Sequence, residues 1–491
     1  MPGAVDTSTN PYESSEAAPN SVYSGKTTGP FITITLLFFF WGFITVMNDV
    51  LIPFLKGSFE LSFFQAALVQ GAFFGAFFVI SAIYFGISSS SGDPINRFGY
   101  QKTIVLALIV CAAGCALFSP AAGFAYYPFF LGALFLLATG VTILQIAANP
   151  YAAILGKPEN ASARLNLAQG FNSLGTTLAP IVGGLLLYKV FASEGEVTLQ
   201  SIETPYLIYG GMFLALAVLV GVSKLPSIAG GNKIEGGNAL QFPQLVLGMI
   251  GIFLYVGAEV AIGSFLINFM AHEDIMGWPE DVASIYLSYY WGGLMIGRLC
   301  GAIAMTQMAN PAKKPIYIVL TAAGLIALIY FVTAIRHEGN VFTMEFMPFA
   351  ELLPFIGLVV LCLGTLAVGK GKPALTLAIF CATLILLLVV TALASGKIAL
   401  WAALGIGLFN SIMWSNIFTL AIDDLGEHTS QGSSLLVMMI VGGAIFPLIM
   451  GATADFVGVR AAFLVPIISY IYIGFYGWWS QRRIAAKQVA T

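Results

Sequence analysis

Residues 373–394, PALTLAIFCATLILLLVVTALA, decide the class of fold to which this chain belongs. The segment has no charged side chain, and its length matches the roughly 20 apolar residues that a helix needs to cross the hydrocarbon core of a bilayer. A helix that is apolar on every side is buried either in a large protein or in a membrane. Comparable segments recur along the whole chain, so we predict an all-α integral membrane protein.

The overall composition supports a membrane protein. Of the 491 residues, 58% are hydrophobic and 9% are charged, against roughly 25% charged in an average soluble domain. The net charge of −3 provides no basic field for binding phosphate backbones, so nucleic acid is not an expected partner. The lipid bilayer is the expected environment.

Fourteen membrane spans are predicted. The first 30 residues are rich in Ser, Thr, Asn and Pro and are expected to form a disordered cytoplasmic tail, and residues 481–491 are expected to form a second tail. The predicted spans are residues 31–55, 62–85, 103–124, 127–155, 165–190, 205–223, 244–270, 282–305, 315–335, 349–368, 373–394, 398–422, 432–454 and 460–480.

The distribution of Lys and Arg predicts how the chain is oriented. With the N-terminus inside, fourteen of the 20 basic residues fall in inner segments and five in outer segments. Basic residues accumulate on the cytoplasmic side of membrane proteins. Both termini are therefore predicted to be cytoplasmic, with the protein in the inner cell membrane.

The pattern of the spans predicts two halves. A six-helix N-terminal half covers residues 31–223, and a C-terminal half covers residues 244–480. Residues 224–243 between them contain several glycines and prolines and are predicted to be a cytoplasmic linker. Duplicated halves of this kind are typical of secondary transporters.

Repeated residues indicate an insertion in the C-terminal half. Asn149 and Gly175 recur as the same residue types 267 positions later, whereas Gly42 recurs 215 positions later. The difference of 52 residues accommodates two additional helices within residues 315–394. The spacing favours the segment from residue 373 as the counterpart of the third helix, but it does not decide which two helices are additional.

Ionisable side chains within predicted spans are rare and are functional candidates, because a charge in hydrocarbon costs several kcal/mol. Asp49 lies in the first span, Glu259 near the middle of the seventh, and Arg298 near the inner end of the eighth. For Arg298 we expect the side chain to reach the interface or to cap backbone carbonyls. For the two acids, ion coupling is the hypothesis and a structural salt bridge is the alternative.

Five amide side chains form a second group of candidates. Gln145 and Asn149 lie four residues apart, and Asn166, Gln169 and Asn172 lie three apart, so each set shares one helical face. An amide donates and accepts hydrogen bonds at once, which suits a ligand rich in hydroxyl groups. Interhelical hydrogen bonding is the alternative explanation.

Three further residues complete the predicted substrate site. Asn48 precedes Asp49, and Asn416 is the counterpart of Asn149 in the second half. Trp291 is one of a few aromatic side chains that could stack on a sugar ring. A role in the core or facing lipid is the alternative for each aromatic residue.

The sequence offers no signature of catalysis or of a bound cofactor. The five cysteines lie in apolar segments at spacings that match neither a metal motif nor a disulfide framework. Motifs for nucleotide binding, zinc proteases and serine hydrolases are absent from the sequence. We therefore expect neither an enzyme nor a metal site, and no transport driven by ATP hydrolysis.

Four segments resemble the fucose, galactose and glucose proton symporter family of the major facilitator superfamily. They are residues 41–53 (WGFITVMNDVLIP), 145–156 (QIAANPYAAILG), 164–175 (RLNLAQGFNSLG) and 432–443 (GSSLLVMMIVGG). The resemblance covers about residues 31–305 and 396–480. It implies a major facilitator fold of two six-helix halves, here with two additional helices, and import of a sugar together with a cation.

The resemblance also implies roles for individual residues. Asp49 matches the first-helix aspartate of the fucose branch, and Gln169 and Asn172 match its fifth-helix polar pair in the sugar cavity. The fucose branch has a glutamate where this chain has Gln145, and a glutamine where this chain has Glu259. Gln at the first position and Glu at the second resemble the pattern of the branch that contains glucose, galactose and N-acetylglucosamine permeases. The proton is the first candidate for the coupled ion, and sodium is the second.

Other functions fit the sequence less well. A membrane enzyme acting on lipid-linked sugars needs more carboxylates or metal ligands near a head group. A drug exporter is expected to have a hydrophobic cavity and not one lined with amides. A sensor without transport usually carries a signalling domain. Together with the family that it resembles, the sequence therefore favours a hexose symporter, with sodium coupling or specificity for N-acetylglucosamine or fucose as alternatives.

Overall fold

The computed structural model describes residues 28–61, 63–185, 198–226, 238–338 and 341–490. Most of the N-terminal tail and of the predicted linker lies outside the described residues. The helices are α1 Thr28–Ser58, α2 Phe63–Ser91, α3 Pro94–Phe98, α4 Tyr100–Ala116, α5 Phe118–Phe124, α6 Tyr127–Ile154, α7 Ala161–Leu185, α8 Glu203–Val222, α9 Pro243–Ala271, α10 Glu280–Met305, α11 Lys314–Ala334, α12 Phe349–Val368, α13 Pro373–Leu393, α14 Gly396–Asn410, α15 Met413–Ala421, α16 Thr429–Met438, α17 Gly442–Val457, α18 Val459–Ala462 and α19 Ile467–Ala490.

The described fold is helical apart from one small hairpin. Strands β1 Ile335–Glu338 and β2 Val341–Met344 pair antiparallel, with Ile335 opposite Met344. The hairpin connects α11 to α12. Apart from this hairpin, the predicted all-α fold is therefore confirmed.

Twelve helical segments of the described chain are long and apolar enough to cross a membrane. Helices α7 and α10 are 25 and 26 residues long but are not among the twelve. They carry many of the polar side chains noted in the sequence, which lower their mean hydropathy. These two helices pack against each other, so their polar residues lie inside the bundle.

The long helices pack in a regular pattern. Helix α1 lies against α7, and α4 contacts both α6 and α8. Later in the chain, α9 lies against α17, and α13 contacts both α14 and α19. The apolar window of α11 is only 17% buried, whereas that of the segment Gly396–Ala421 is 94% buried. Helix α11 therefore lies at the periphery and α14 and α15 lie at the centre.

One predicted span is interrupted. The sequence predicts a continuous helix over residues 398–422, whereas α14 ends at Asn410 and α15 begins at Met413. The Ser411 hydroxyl donates to the Leu408 carbonyl at 2.7 Å. Interrupted helices are tolerated at membrane depth when other protein groups satisfy the freed backbone.

The turn between α2 and α4 is built around Asp93. Its carboxylate accepts hydrogen bonds from the hydroxyls of Tyr84 and Ser88 at 2.8 and 2.9 Å and from the Ile95 amide at 2.8 Å. The acid thereby caps the first turn of α3.

Close helix packing depends on glycine at several positions. A side chain at Gly407 of α14 would collide with the carbonyl oxygen of Tyr290 in α10. Gly442 in α17 is in the same position relative to the Phe253 carbonyl of α9. Small residues of this kind let membrane helices approach closely.

We predict that Gly407→Ala destabilises the protein by about 1 to 3 kcal/mol, because the added methyl group forces α10 and α14 apart. Thermal unfolding of the purified protein in detergent measures the effect. The control is Gly364→Ala in α12, where a methyl group meets no atom within 4 Å. Equal melting temperatures for the two variants would contradict the packing argument.

Candidate functional site

Glu259 lies in α9 within a polar centre. The Tyr255 hydroxyl, one turn earlier on the same helix, donates to Glu259 Oε1 at 2.6 Å. Arg298 of α10 is the ionic partner, with Nη2 at 3.6 Å from Oε1, and the two charged side chains are 10% and 13% exposed for Arg298 and Glu259. The salt bridge that the sequence leaves as an alternative is therefore present. Its basic member comes from the next helix.

Arg298 does not reach the membrane interface, because the whole residue is only 8% exposed. Its Nε donates to the Ser411 carbonyl at 3.2 Å, and its Nη1 donates to Ser173 Oγ at 2.6 Å. The predicted carbonyl capping is confirmed, and the snorkelling expected as its alternative is wrong. The interruption between α14 and α15 places the Ser411 carbonyl where the guanidinium can bond to it.

Hydrogen bonds extend this centre towards α19. Tyr290 donates to the backbone carbonyl of Glu259 at 3.0 Å, and the Asn410 amide donates to the Tyr290 hydroxyl at 3.2 Å. Tyr470 of α19 then donates to the Asn410 side-chain oxygen at 2.7 Å. Four helices, α9, α10, α14 and α19, thus hold the backbone around Glu259.

Two of the predicted amides have free hydrogen-bonding capacity. Gln145 in α6 and Gln169 in α7 are 6% and 5% exposed. Among the described residues, their side-chain amides have no hydrogen-bond partner. The amide atoms are also not completely buried, so a ligand can reach them. Both can therefore bind a polar group that enters the bundle.

Other predicted amides are partly used inside the protein. Asn172 donates to the Phe38 carbonyl of α1 at 3.0 Å, and Asn149 donates to the Gln145 carbonyl at 3.0 Å. The side-chain oxygen of Asn149 is buried and has no partner among the described residues. These two residues combine interhelical or local bonding with remaining acceptor capacity.

The Asn416 side chain in α15 forms hydrogen bonds to α7 and to the first residue of α13. Its side-chain oxygen accepts from Asn166 of α7 at 3.2 Å, and its nitrogen donates to the Pro373 carbonyl at 3.3 Å. Nearby along the same two helices, the hydroxyls of Ser162 and Thr419 lie 2.6 Å apart. The Asn166 and Asn416 amides thus bond to each other across the contact between α7 and α15.

Further hydrogen bonds join residues that precede the connection over residues 227–237 to residues that follow it. Gln431 donates to Ser89 at 3.0 Å, and Asn96 donates to the Glu427 carbonyl at 2.9 Å. The backbone N–H of Gln307 donates to the Asn160 side-chain oxygen at 2.7 Å. All these residues lie in or beside segments that the sequence assigns to the inner side.

Three predicted residues remain. Trp291 in α10 is half-buried, and its ring packs against Gly263 of α9 and the ring of Tyr290. Asn48 and Asp49 belong to α1, but their side chains lie outside the described residues.

Sequence reasoning missed part of this centre. Tyr255, Ser173 and Ser411 surround Arg298, yet tyrosines and serines are common in this chain and carry no signal of their own. The spacing of Tyr255 and Glu259, four residues apart on one helical face, is the one pattern that could have indicated their contact. The tertiary structure supplies the others.

These features define a multi-pass helical membrane protein with a charged and amide-rich centre. The Major Facilitator Superfamily model matches residues 31–350. The chain belongs to that superfamily.

Individual relatives narrow the comparison. The chain is 44% identical over 452 residues to the glucose/galactose transporter of Brucella abortus biovar 1 (strain 9-941), covering 91% of this chain and 92% of the relative. It is 29% identical over 470 residues to the L-fucose-proton symporter of Escherichia coli (strain K12), covering 90% and 91%. The crystal structure of the transporter FucP in the outward conformation superposes with a TM-score of 0.71 at 27% identity, covering 92% of this chain and 99% of FucP.

Proposed function

We propose that this protein is a secondary active transporter that imports a hexose resembling glucose or galactose together with a cation, with the proton preferred. The observation that carries the proposal is the buried Glu259 and Arg298 pair, in a bundle that also holds the unpaired amides of Gln145 and Gln169. Ionisable side chains within membrane spans are costly, and for that reason they usually mark functional sites. Neutral amides nearby are suited to hydroxyl groups.

The similarity to named relatives supports a hexose. A relative with 44% identity over nearly its full length is named a glucose/galactose transporter, and a more distant one is named an L-fucose-proton symporter. Specificity for N-acetylglucosamine or fucose is the alternative. Trp291, Asn48, Asn149, Asn172 and Asn416 are further candidates for contact with the sugar.

Coupling to a cation is assigned to Glu259 and Asp49. A carboxylate can bind a proton, and hard cations such as sodium also take oxygen ligands. When sugar and cation favour the same state of the protein, each raises the affinity of the other by the same factor. The cation gradient can then drive accumulation of the sugar.

Transport by alternating access fits the bonds at the inner side. The pairs Ser162 with Thr419 and Asn166 with Asn416 hold α7 against α15. In an inward-open state these bonds would have to break. Each is a neutral hydrogen bond that contributes about 0.5 to 1.5 kcal/mol net. The two bonds therefore stabilise the state that is closed at the inner side, but weakly enough for that side to open.

The proposed architecture has fourteen spans in two halves. Helices α7 and α10 are long enough to cross the bilayer and would add two spans to the twelve apolar ones. The packing of α1 with α7 and of α4 with α6 and α8 has its parallel in α9 with α17 and α13 with α14 and α19. We place both termini in the cytoplasm and the protein in the inner cell membrane.

The additional helices are assigned to α11 and α12. Helix α13 occupies the place of α4 in the parallel packing, as the spacing before Asn416 favours. The apolar windows of α11 and α12 are 17% and 33% buried, and Leu320 and Val360 are each 63% exposed. The pair would form a peripheral hairpin facing lipid or a neighbouring protomer.

The first experiment tests coupling. Asp49→Asn and Glu259→Gln should abolish uphill sugar accumulation in proteoliposomes while leaving binding or sugar exchange, because an amide cannot carry the coupled charge. Radiolabelled glucose and galactose are the substrates, and a pH gradient drives uptake. Full accumulation by both variants would overturn the assignment, and accumulation that needs sodium instead of a pH gradient would make sodium the coupled ion.

The second experiment tests the amides. Gln145→Ala, Gln169→Ala and Asn172→Ala should each weaken sugar binding roughly threefold to tenfold, since one hydrogen bond to a hydroxyl is lost. Calorimetry on the purified protein measures the affinity. The control is Gln244→Ala, which removes a buried amide that donates to the Asp423 carbonyl at the start of α9. Unchanged affinity in all three test variants would favour purely interhelical roles.

The third experiment tests the position of the helical hairpin formed by α11 and α12. Cysteines at Leu320 and Val360 should not react with a water-soluble thiol reagent, because these positions face lipid. A cysteine at Gln169 is the positive control and should react and be protected by sugar. Reaction of the hairpin cysteines with protection by sugar would show that the hairpin lines the cavity.

A further inference from the structure

We propose that Arg298 is a positioning residue that carries the charge state of Glu259 to the contact between α7 and α10. The proposal rests on the proposed function, in which Glu259 binds the coupled cation. It assigns the step by which that binding reaches the rest of the molecule, and it gives Ser173 a role in coupling.

The geometry of the guanidinium supports a bridging role. Each of its three nitrogens has a different partner: Nε has the Ser411 carbonyl, Nη1 has Ser173 Oγ, and Nη2 faces both Tyr255 Oη at 3.4 Å and Glu259. A planar guanidinium presents donors on separate edges in a rigid arrangement. A lysine ammonium at this position could not span the same partners.

Ser173 is the member of this group that precedes the connection over residues 227–237. It lies on α7, whereas Arg298, Glu259, Tyr255 and Ser411 all follow that connection. The bond of 2.6 Å from Arg298 to Ser173 therefore links the charge pair to the other set of helices.

The two helices are in close contact beside this bond. Gly170, one turn before Ser173, packs against the side chain of Leu299, the residue after Arg298, which would have to shift to admit a larger residue at position 170. A shift of the guanidinium therefore has to be accommodated where α7 and α10 already touch. Alternating access requires the two sets of helices to move relative to each other at such contacts.

The surroundings of Glu259 leave Arg298 as the group that responds to its charge. The titratable groups that face it in the described chain are Tyr255 on its own helix, Tyr290 and Arg298 on α10, and Tyr470 on α19. Of these, only Arg298 carries a positive charge. The tyrosines bond to Glu259 or to its neighbours, and Tyr255 also accepts from Arg298.

Neutralising Glu259 removes the counter-ion of a buried guanidinium. An uncompensated buried charge is strongly unfavourable, so the guanidinium must find new partners or water. Its bond to Ser173 then changes, and with it the contact between α7 and α10. Cation binding at Glu259 would in this way change the stability of one arrangement of the helices relative to the other.

The test compares Ser173→Ala with Thr177→Ala. Both remove a hydroxyl from α7, but the Thr177 hydroxyl donates to the Ser173 backbone carbonyl of its own helix and, within the part of the chain that the structure describes, forms no hydrogen bond to another helix. In proteoliposomes, Ser173→Ala should lower the uphill accumulation of glucose by roughly tenfold, as expected for a lost bond to a charged donor. The number of protons that enter with each sugar should also fall, because part of the sugar then enters without a proton. Glucose binding by calorimetry should change less than about twofold in both variants.

A double-mutant comparison isolates the link to Glu259. In the Glu259→Gln background, Ser173→Ala should change the exchange rate less than about twofold, because the link is already broken. Arg298→Lys should resemble Ser173→Ala, since the charge is retained and the bridge is lost. Rescue of accumulation by lysine, additive effects of the two mutations, or equal behaviour of Ser173→Ala and Thr177→Ala would each overturn the proposal.

The outcomes also separate this inference from the proposed function. Full accumulation by Glu259→Gln would refute the role of Glu259 itself. Loss of accumulation in Glu259→Gln, together with parental behaviour of Ser173→Ala, would leave the function intact and refute only the bridge through Arg298.

Discussion

A buried guanidinium in a bilayer needs a partner for its charge and for each of its donors, and the centre of this protein is arranged around that requirement. Arg298 is neutralised by Glu259 and bonds to Tyr255, Ser173 and the carbonyl of Ser411. Lipid hydrocarbon could not replace these partners, because it supplies no hydrogen-bonding groups. One side chain thus joins three helices, α7, α9 and α10, to the interruption between α14 and α15.

Glycines make this arrangement possible. Gly170 brings α7 against α10, and Gly407 brings α14 against the Tyr290 carbonyl of α10. A side chain at position 407 would meet the backbone of α10 and separate the helices, and one at position 170 would displace the Leu299 side chain. Small residues in the predicted spans are thus part of the charged site, although they contribute no polar group themselves.

The polar groups of the bundle divide into two kinds. The charged pair and its partners are almost fully bonded to one another, whereas Gln145 and Gln169 keep free donors and acceptors. The first kind is suited to holding a defined arrangement that changes when a charge changes. The second is suited to binding a ligand from outside. A symporter needs both, and membership of the Major Facilitator Superfamily is consistent with that combination.

The sequence by itself determined the membrane class, the rarity and identity of the buried charges, and the amide residues that share helical faces. These follow from composition and from the period of the helix, which are local properties of the chain. It did not reveal the pairing of Glu259 with Arg298, the break at Ser411 that offers its carbonyl, or the contact of Arg298 with Ser173. Those depend on which helices are neighbours and how closely glycines let them approach, and residues 39 to 125 positions apart meet only once the helices have packed.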